Sequence, residues 1–323
     1  MSGPMSVREL PLQITRDLRR GMFDLLRFEI LFKAATLLVL LPLVAWAFRW
    51  VVRTSGHEAV GNLDILAFLL TNRGLLAGTT ALLAFMTVAF AETSGLLCIG
   101  YGLAQGRQVT YLDALKRIGL RLGRIMKASF LGFAVALLLA APFVAGLALI
   151  YQRMLSSHDI NYYLAARPPE LYRALWLGAA LAAPAFAAVL IVYLVASYAL
   201  PGVIFGGRRV RSAYSSSLSL LRRHGALLVG PLFAWLAAWL AVSAAANWAG
   251  FRLGSLIVAA AGRNVSALLV VLGILLALQL FLALAFNFLL VTVNAVLIAR
   301  LYREACRRSS IPLQPLDVGT APG

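Results

Sequence analysis

Six stretches of this chain are long and apolar enough to cross a lipid bilayer, and they limit its fold more than any other feature. They fall at residues 34–52, 75–103, 128–151, 171–200, 226–250 and 266–299. A hydrocarbon core of about 30 Å needs roughly 20 apolar residues in helical form. Lipid offers no hydrogen bonds to an open backbone, so continuous runs of this length are read as helices. A transmembrane β-barrel would instead show roughly ten-residue segments of alternating hydrophobicity. The expected fold class is therefore all-α: a polytopic membrane helical bundle of six transmembrane helices with cytoplasmic amphipathic surface helices. The sixth run is longer than a span requires, so its helix tilts or projects beyond the bilayer. Composition agrees, with 62% of residues hydrophobic and 13% charged.

The charge is unusual for so apolar a chain: 29 Lys+Arg against 12 Asp+Glu leave a net charge of +17. In a soluble domain that would point to nucleic acid. Here the placement of the charge matters more than its sum. Residues 1–33 carry six basic residues, the link after the second span six, the link after the fourth span five, and the segment from residue 300 onward four; the opposite side carries eight. The positive-inside rule then places both termini in the cytoplasm. The chain divides into a cytoplasmic segment at 1–33, a membrane domain at 34–300 and a cytoplasmic tail at 301–323. No nucleic-acid partner is expected. Residues 1–33 mix Arg with Asp and Glu and lack a short apolar core with a cleavage site, so no removable signal peptide is expected.

Two of the basic links read as helices in their own right. Over 110–127, Leu112, Leu115, Ile118, Leu122, Ile125 and Met126 share one face, and Lys116, Arg117, Arg121, Arg124 and Lys127 the other; Thr110 and Asp113 have capping-box spacing. Over 208–224, Val210, Ala213, Tyr214, Leu218 and Leu221 oppose Arg211, Arg222 and Arg223. Such helices are expected to lie in the headgroup plane. Lys116, Arg117, Arg121, Arg124, Arg211, Arg222 and Arg223 become candidate contacts for anionic lipid headgroups. The two units resemble a degenerate repeat of span, surface helix and span. Residues 12–32 read as a third such helix with Leu18, Met22 and Leu25 down, although Glu29 interrupts its face.

Candidate chemistry is sparse. Cys98 and Cys306, and His57, His158 and His224, are too scattered for a disulfide framework or a zinc site, so no cofactor is expected. Glu92 is the one acidic residue inside an expected span, which makes it a candidate proton or cation site. The plainer reading is a carboxyl that is neutral or bonded to a neighbouring helix. Gln279, Asn287 and Asn294 lie on one arc of the last span, where they line a polar cavity or, more commonly, join helices. The link at 157–170 is rich in polar and aromatic residues, among them Asp159, Asn161, Tyr162, Tyr163 and Arg167. It reads as a packed lid or as a recognition element.

These motifs resemble the membrane domain of the glycerophosphoryl diester phosphodiesterase family. The resemblance rests on Asp159-Ile160-Asn161-Tyr162-Tyr163-Leu164 with Arg167-Pro168-Pro169-Glu170, and on Ala199-Leu200-Pro201. It continues in Arg211-Ser212-Ala213-Tyr214 and Ser217-Leu218-Ser219-Leu220-Leu221-Arg222-Arg223, with Glu92 in the second span, and covers about residues 25–302. The resemblance implies a bacterial inner-membrane domain that in many relatives precedes a soluble barrel cleaving glycerophosphodiesters. That barrel begins with His-Arg-Gly, and no His is followed by Arg here. No catalytic residue is carried over. The expected function is a non-catalytic anchor or scaffold, or a partner of a separate phosphodiesterase or other membrane protein in lipid-linked metabolism. The alternative is a transporter or channel for a small solute or lipid headgroup.

Overall fold

The structure is a computed structural model that describes residues 9–55, 71–157, 160–261, 265–309 and 311. Among these, seven α-helices follow one another: α1 (Leu10–Ser55), α2 (Asn72–Ala104), α3 (Tyr111–Met154), α4 (Ile160–Ala166), α5 (Pro169–Ile204), α6 (Val210–Ala261) and α7 (Val265–Arg308). All except α4 are long and apolar enough to cross a membrane. At about 1.5 Å per residue even the shortest of the six exceeds the ~30 Å hydrocarbon core. Each therefore extends beyond it.

The surplus length builds a packed base. Helices α2, α3, α5, α6 and α7 pack in a ring, and α1 lies mainly against α2 and α7. Burial is concentrated in Leu25 and Phe28 of α1, Leu96, Leu97 and Tyr101 of α2, and Ile118 and Ile125 of α3. Tyr198 and Ile204 of α5, Leu228 of α6, and Val296, Ile298 and Leu301 of α7 complete this core. These positions lie toward one end of the bundle, which also carries the first turns of α1 and the last turns of α7. Toward the other end the helices turn apolar side chains outward: Leu38, Leu76, Leu138, Trp176, Phe251 and Leu276 are all exposed. Exposed apolar residues of this kind are what lipid covers in a six-span protein.

The amphipathic segments differ from their expected form. Residues 111–127 do not make a separate surface helix; they are the first turns of α3, which runs unbroken to Met154 behind a Thr110–Asp113 capping box. A segment lying in the headgroup plane would need a bend before the span, and α3 has none. Part of its apolar face, Ala114, Ile118 and Ile125, is buried in the base, while Leu112, Leu122 and Met126 stay exposed. The second segment does break from its span: α6 contains a kink at His224 (φ −128°, ψ 30°). There His224 Nε2 and Ser309 Oγ, beyond the end of α7, are 2.9 Å apart. The third segment, 12–32, is continuous with the first span in α1. Its buried side includes Asp17, Leu25, Phe28 and Glu29, whereas Met22 is exposed. Glu29 thus belongs to the packed face rather than interrupting it.

The two repeat-like units share a turn. After α2 the chain reverses through Gly106 (φ +76°), and after α5 through Gly207 (φ +59°). Arg107 N donates to Gly102 O at 3.0 Å, and Arg208 N to Gly202 O at 3.4 Å. Only glycine takes such left-handed backbone without steric cost. Tyr101 and Phe205 stack across these two turns with ring centroids 4.1 Å apart.

Candidate functional site

A charged cluster is assembled between α1, α2 and α7. Helical spacing places Glu29 and Lys33 one turn apart on α1, where they form an ion pair. Lys33 Nζ also donates to Asn287 Oδ1 of α7 at 2.7 Å and stands 3.5 Å from Glu92 Oε1 of α2. The Glu29 and Glu92 side chains are 3% and 16% exposed, so solvent does little to screen them. Glu29 Oε2 and Glu92 Oε1 are buried and accept no hydrogen bond. One ammonium therefore serves two carboxyl groups. With both carboxyls ionised the cluster carries one uncompensated negative charge, which a proton or a small cation would neutralise. The cluster sits where the packed base gives way to the lipid-exposed half, since α2 is buried beyond Ala91 and α7 from Thr292 onward.

The polar residues of α7 part company. Asn287 joins Lys33, whereas Asn294 Nδ2 donates to Tyr193 Oη of α5 at 2.8 Å. Gln279 is exposed. The three do not line one polar cavity; two of them tie α7 to different helices. Asn294 and Tyr193 also border a cavity of about 270 Å³ between α2, α5, α6 and α7.

The link before α5 is a packed turn. Asp159 lies outside the described residues, and Asn161 falls in α4. Tyr162 and Tyr163 meet edge to face with centroids 5.5 Å apart. Tyr163 is buried; its hydroxyl lies 3.0 Å from Ser157 Oγ and donates to Met154 O at 3.4 Å. Arg167 N donates to Tyr163 O at 3.1 Å, closing α4 with Arg167 at φ +47°. Pro168 and Pro169 then start α5, a position that suits proline because the first turn needs no N–H partner there. The motif thus acts as a helix–turn–helix joint.

The arginines of the base divide by role. Arg121 Nη1 donates to Val203 O at 3.4 Å and Arg124 Nη1 to Gly207 O at 3.3 Å, so α3 grips the α5–α6 turn. Arg208 Nη1 donates to Ser216 Oγ at 2.7 Å within the same region. Lys116, Arg211, Arg222 and Arg223 are exposed on the base, and Arg117 is half-buried. Within the base, Tyr214 Oη donates to Ala128 O at 2.9 Å, Ser217 Oγ to Val195 O at 2.7 Å, and buried Tyr198 Oη to Leu228 O at 2.7 Å.

Sequence reasoning finds Glu92 and Asn287 but not that both meet Lys33. Glu29 and Lys33 are legible only as an i, i+4 pair, and Glu29 as a fault in an apolar face. Asp17 carries no signal in the sequence either, yet it is buried and ion-paired with Arg300 of α7. Arg300 also donates to Gln13, and Arg303 to the Ala104 carbonyl. Among the described residues no group of three His, Cys, Asp or Glu side chains converges as metal ligands would.

Comparison with known proteins separates family from individual relatives. Neither a curated protein nor a solved structure is significantly similar to the chain. A family model, the membrane domain of glycerophosphoryl diester phosphodiesterase, matches residues 12–314. The match takes in all six membrane-crossing helices, the turn at 157–169 and the charged cluster. The chain is a member of the family defined by the membrane domain of glycerophosphoryl diester phosphodiesterase.

Proposed function

We propose that this protein is a non-catalytic membrane scaffold: an anchor, or a partner for a separate enzyme, in glycerophosphodiester or lipid-linked metabolism at a bacterial inner membrane. One observation carries the reading. The charged side chains of the base hold helices to one another: Asp17 to Arg300, Arg303 to the end of α2, and Arg121 and Arg124 to the α5–α6 turn. The result is a braced platform beneath the spans, with Lys116, Arg211, Arg222 and Arg223 outward. In this reading the platform faces the cytoplasm with both termini, and its exposed cations rest on anionic headgroups. Reporter fusions to each terminus test the orientation, and an extracytoplasmic C-terminus overturns it. Deleting the gene is expected to lower the membrane-bound share of cellular glycerophosphodiesterase activity. Phosphodiesterase activity in the purified chain would refute the non-catalytic role.

The Glu29–Lys33–Glu92–Asn287 cluster favours a second reading, a transporter or channel for a small solute or lipid headgroup. An incompletely neutralised carboxyl pair at the edge of the membrane half is suited to proton or cation coupling. In this reading Glu92→Gln abolishes flux while the protein still inserts; unchanged flux removes Glu92 from the mechanism.

A further inference from the structure

The residues that line the cavity between α2, α5, α6 and α7 include none of the charged cluster and none of the surface arginines. Its volume is about 270 Å³, and its walls include Tyr193, Leu194, Leu232, Trp235, Leu290 and Asn294. All of these residues fall within membrane-crossing helices. Tyr193 and Phe233, which both line the cavity, are 47% and 43% exposed, so it opens on the outer surface of the bundle. In a bilayer that surface meets lipid rather than water. The volume is just under the ~300 Å³ at which small-molecule pockets begin. It has room for a stretch of hydrocarbon chain and one polar group, not for a whole lipid.

One wall residue needs an acceptor. The Trp235 indole Nε1 is buried and has no hydrogen-bond partner. Asn294 is already turned to Tyr193. A buried donor left unpaired is costly, and indole has no alternative way to satisfy it. Among the groups a bilayer presents at this position, the ester carbonyl of a glycerolipid is an acceptor attached to an apolar chain. The position suits it: Leu194 and Val291 lie where α5 and α7 enter the packed base, at the edge of the lipid-exposed half.

We propose that this cavity holds the ester end of one acyl chain of a glycerophospholipid, with the ester carbonyl accepting the Trp235 Nε1 hydrogen. The proposal rests on the membrane-crossing helices and not on the scaffold reading. A scaffold without enzymatic partners would still bind the lipid.

The test uses the full chain reconstituted in phosphatidylethanolamine–phosphatidylglycerol vesicles doped with a phospholipid carrying a diazirine on its acyl chain. After irradiation, labelled peptides are mapped by mass spectrometry. Labelling is expected around Tyr193 and Trp235, in excess of that at the plainly lipid-facing Leu138 and Leu276. Leu290→Trp fills the cavity and is expected to bring the labelling there down to the level of those outer sites. Trp235→Phe removes the donor while leaving the cavity, if anything, roomier, and is expected to lower the labelling there roughly 2- to 10-fold. It also keeps the test decisive if Leu290→Trp fails to fold. Labelling around Trp235 that equals the outer sites in the parent protein overturns the proposal. So does labelling that Trp235→Phe leaves unchanged, which would mean bulk lipid or a trapped water. Equal labelling by a diazirine-bearing free fatty acid overturns the ester assignment. Loss of labelling in a chain that runs as a dimer assigns the groove to a second copy and overturns it as well.

Discussion

Lys33 of α1 and Glu92 of α2 stand 3.5 Å apart, and neither is a simple pair partner. Lys33 is shared with Glu29 and Asn287, so its ammonium is the hub on which three helices meet. Removing it leaves two largely buried carboxyls facing each other. Lys33→Met is expected to destabilise the protein by about 2–3 kcal/mol, below the full cost of a broken buried pair because Lys33 is a third exposed. Lys33→Met with Glu92→Gln should cost clearly less than the two single changes added together. Thermal unfolding in detergent, followed by tryptophan fluorescence, measures the cycle. Strict additivity would mean that the pair is not coupled.

Backbone contact between α2 and α7 sets a second prediction. A Cβ at Gly100 would lie 3.1 Å from Val296 Cα, which is backbone and cannot turn aside. Gly100→Val should cost roughly 1–3 kcal/mol through forced separation of the helices. A Cβ at Gly119 would meet nothing within 4 Å, so Gly119→Ala should be neutral or gain up to about 1 kcal/mol from helix propensity. Melting temperatures of the two variants should move in opposite directions or differ plainly in size.

Tyr198→Phe tests the braced base. The hydroxyl that donates to Leu228 O is buried, and its loss should cost about 1 kcal/mol with little change in packing. Tyr214→Phe, which frees the Ala128 carbonyl, should cost a similar or smaller amount because Tyr214 is less buried. Hydrogen exchange by mass spectrometry should report faster exchange in α6 around Leu228 for the first and in α3 around Ala128 for the second.

Arg167 offers a conformational test of the turn before α5. It closes α4 at φ +47°, a region that costs an ordinary L-residue about 1–2 kcal/mol. Arg167→Gly relieves that cost but adds freedom to the unfolded chain, so a net change within about 1 kcal/mol is expected. Proteolysis at 157–168 should stay as slow as in the parent. Rapid cleavage there would show that the guanidinium, rather than the backbone, holds the turn.

Much of the architecture is open to a reading of residues in order. The spans are visible because a bilayer demands long apolar runs, and all six correspond to a membrane-crossing helix. The Thr110–Asp113 cap is visible because capping depends on residues three apart. The headgroup-plane placement of 110–127 does not follow from amphipathicity, since an apolar helix face packs on protein as readily as on lipid. Only the continuity of α3 and the burial of Ile118 and Ile125 separate the two.

The candidate site divides in the same way. Glu92 is conspicuous in sequence because a carboxylate within an apolar run is costly wherever the helix turns. What it meets is not, because Glu29, Lys33 and Asn287 lie on other helices, tens or hundreds of residues away along the chain. Asn287 and Asn294 share an arc of α7, yet one meets α1 and the other α5. Spacing along a helix tells which face a residue occupies; which neighbour stands opposite depends on how helices pack. The sequence by itself determined that this is a six-span helical membrane protein and which residues are costly inside it. Tertiary structure alone decided that the surplus helix length forms a braced base, that one lysine holds two carboxyls at its edge, and that an indole N–H is left facing no acceptor. Those outcomes are set by long-range contacts, which local periodicity does not encode.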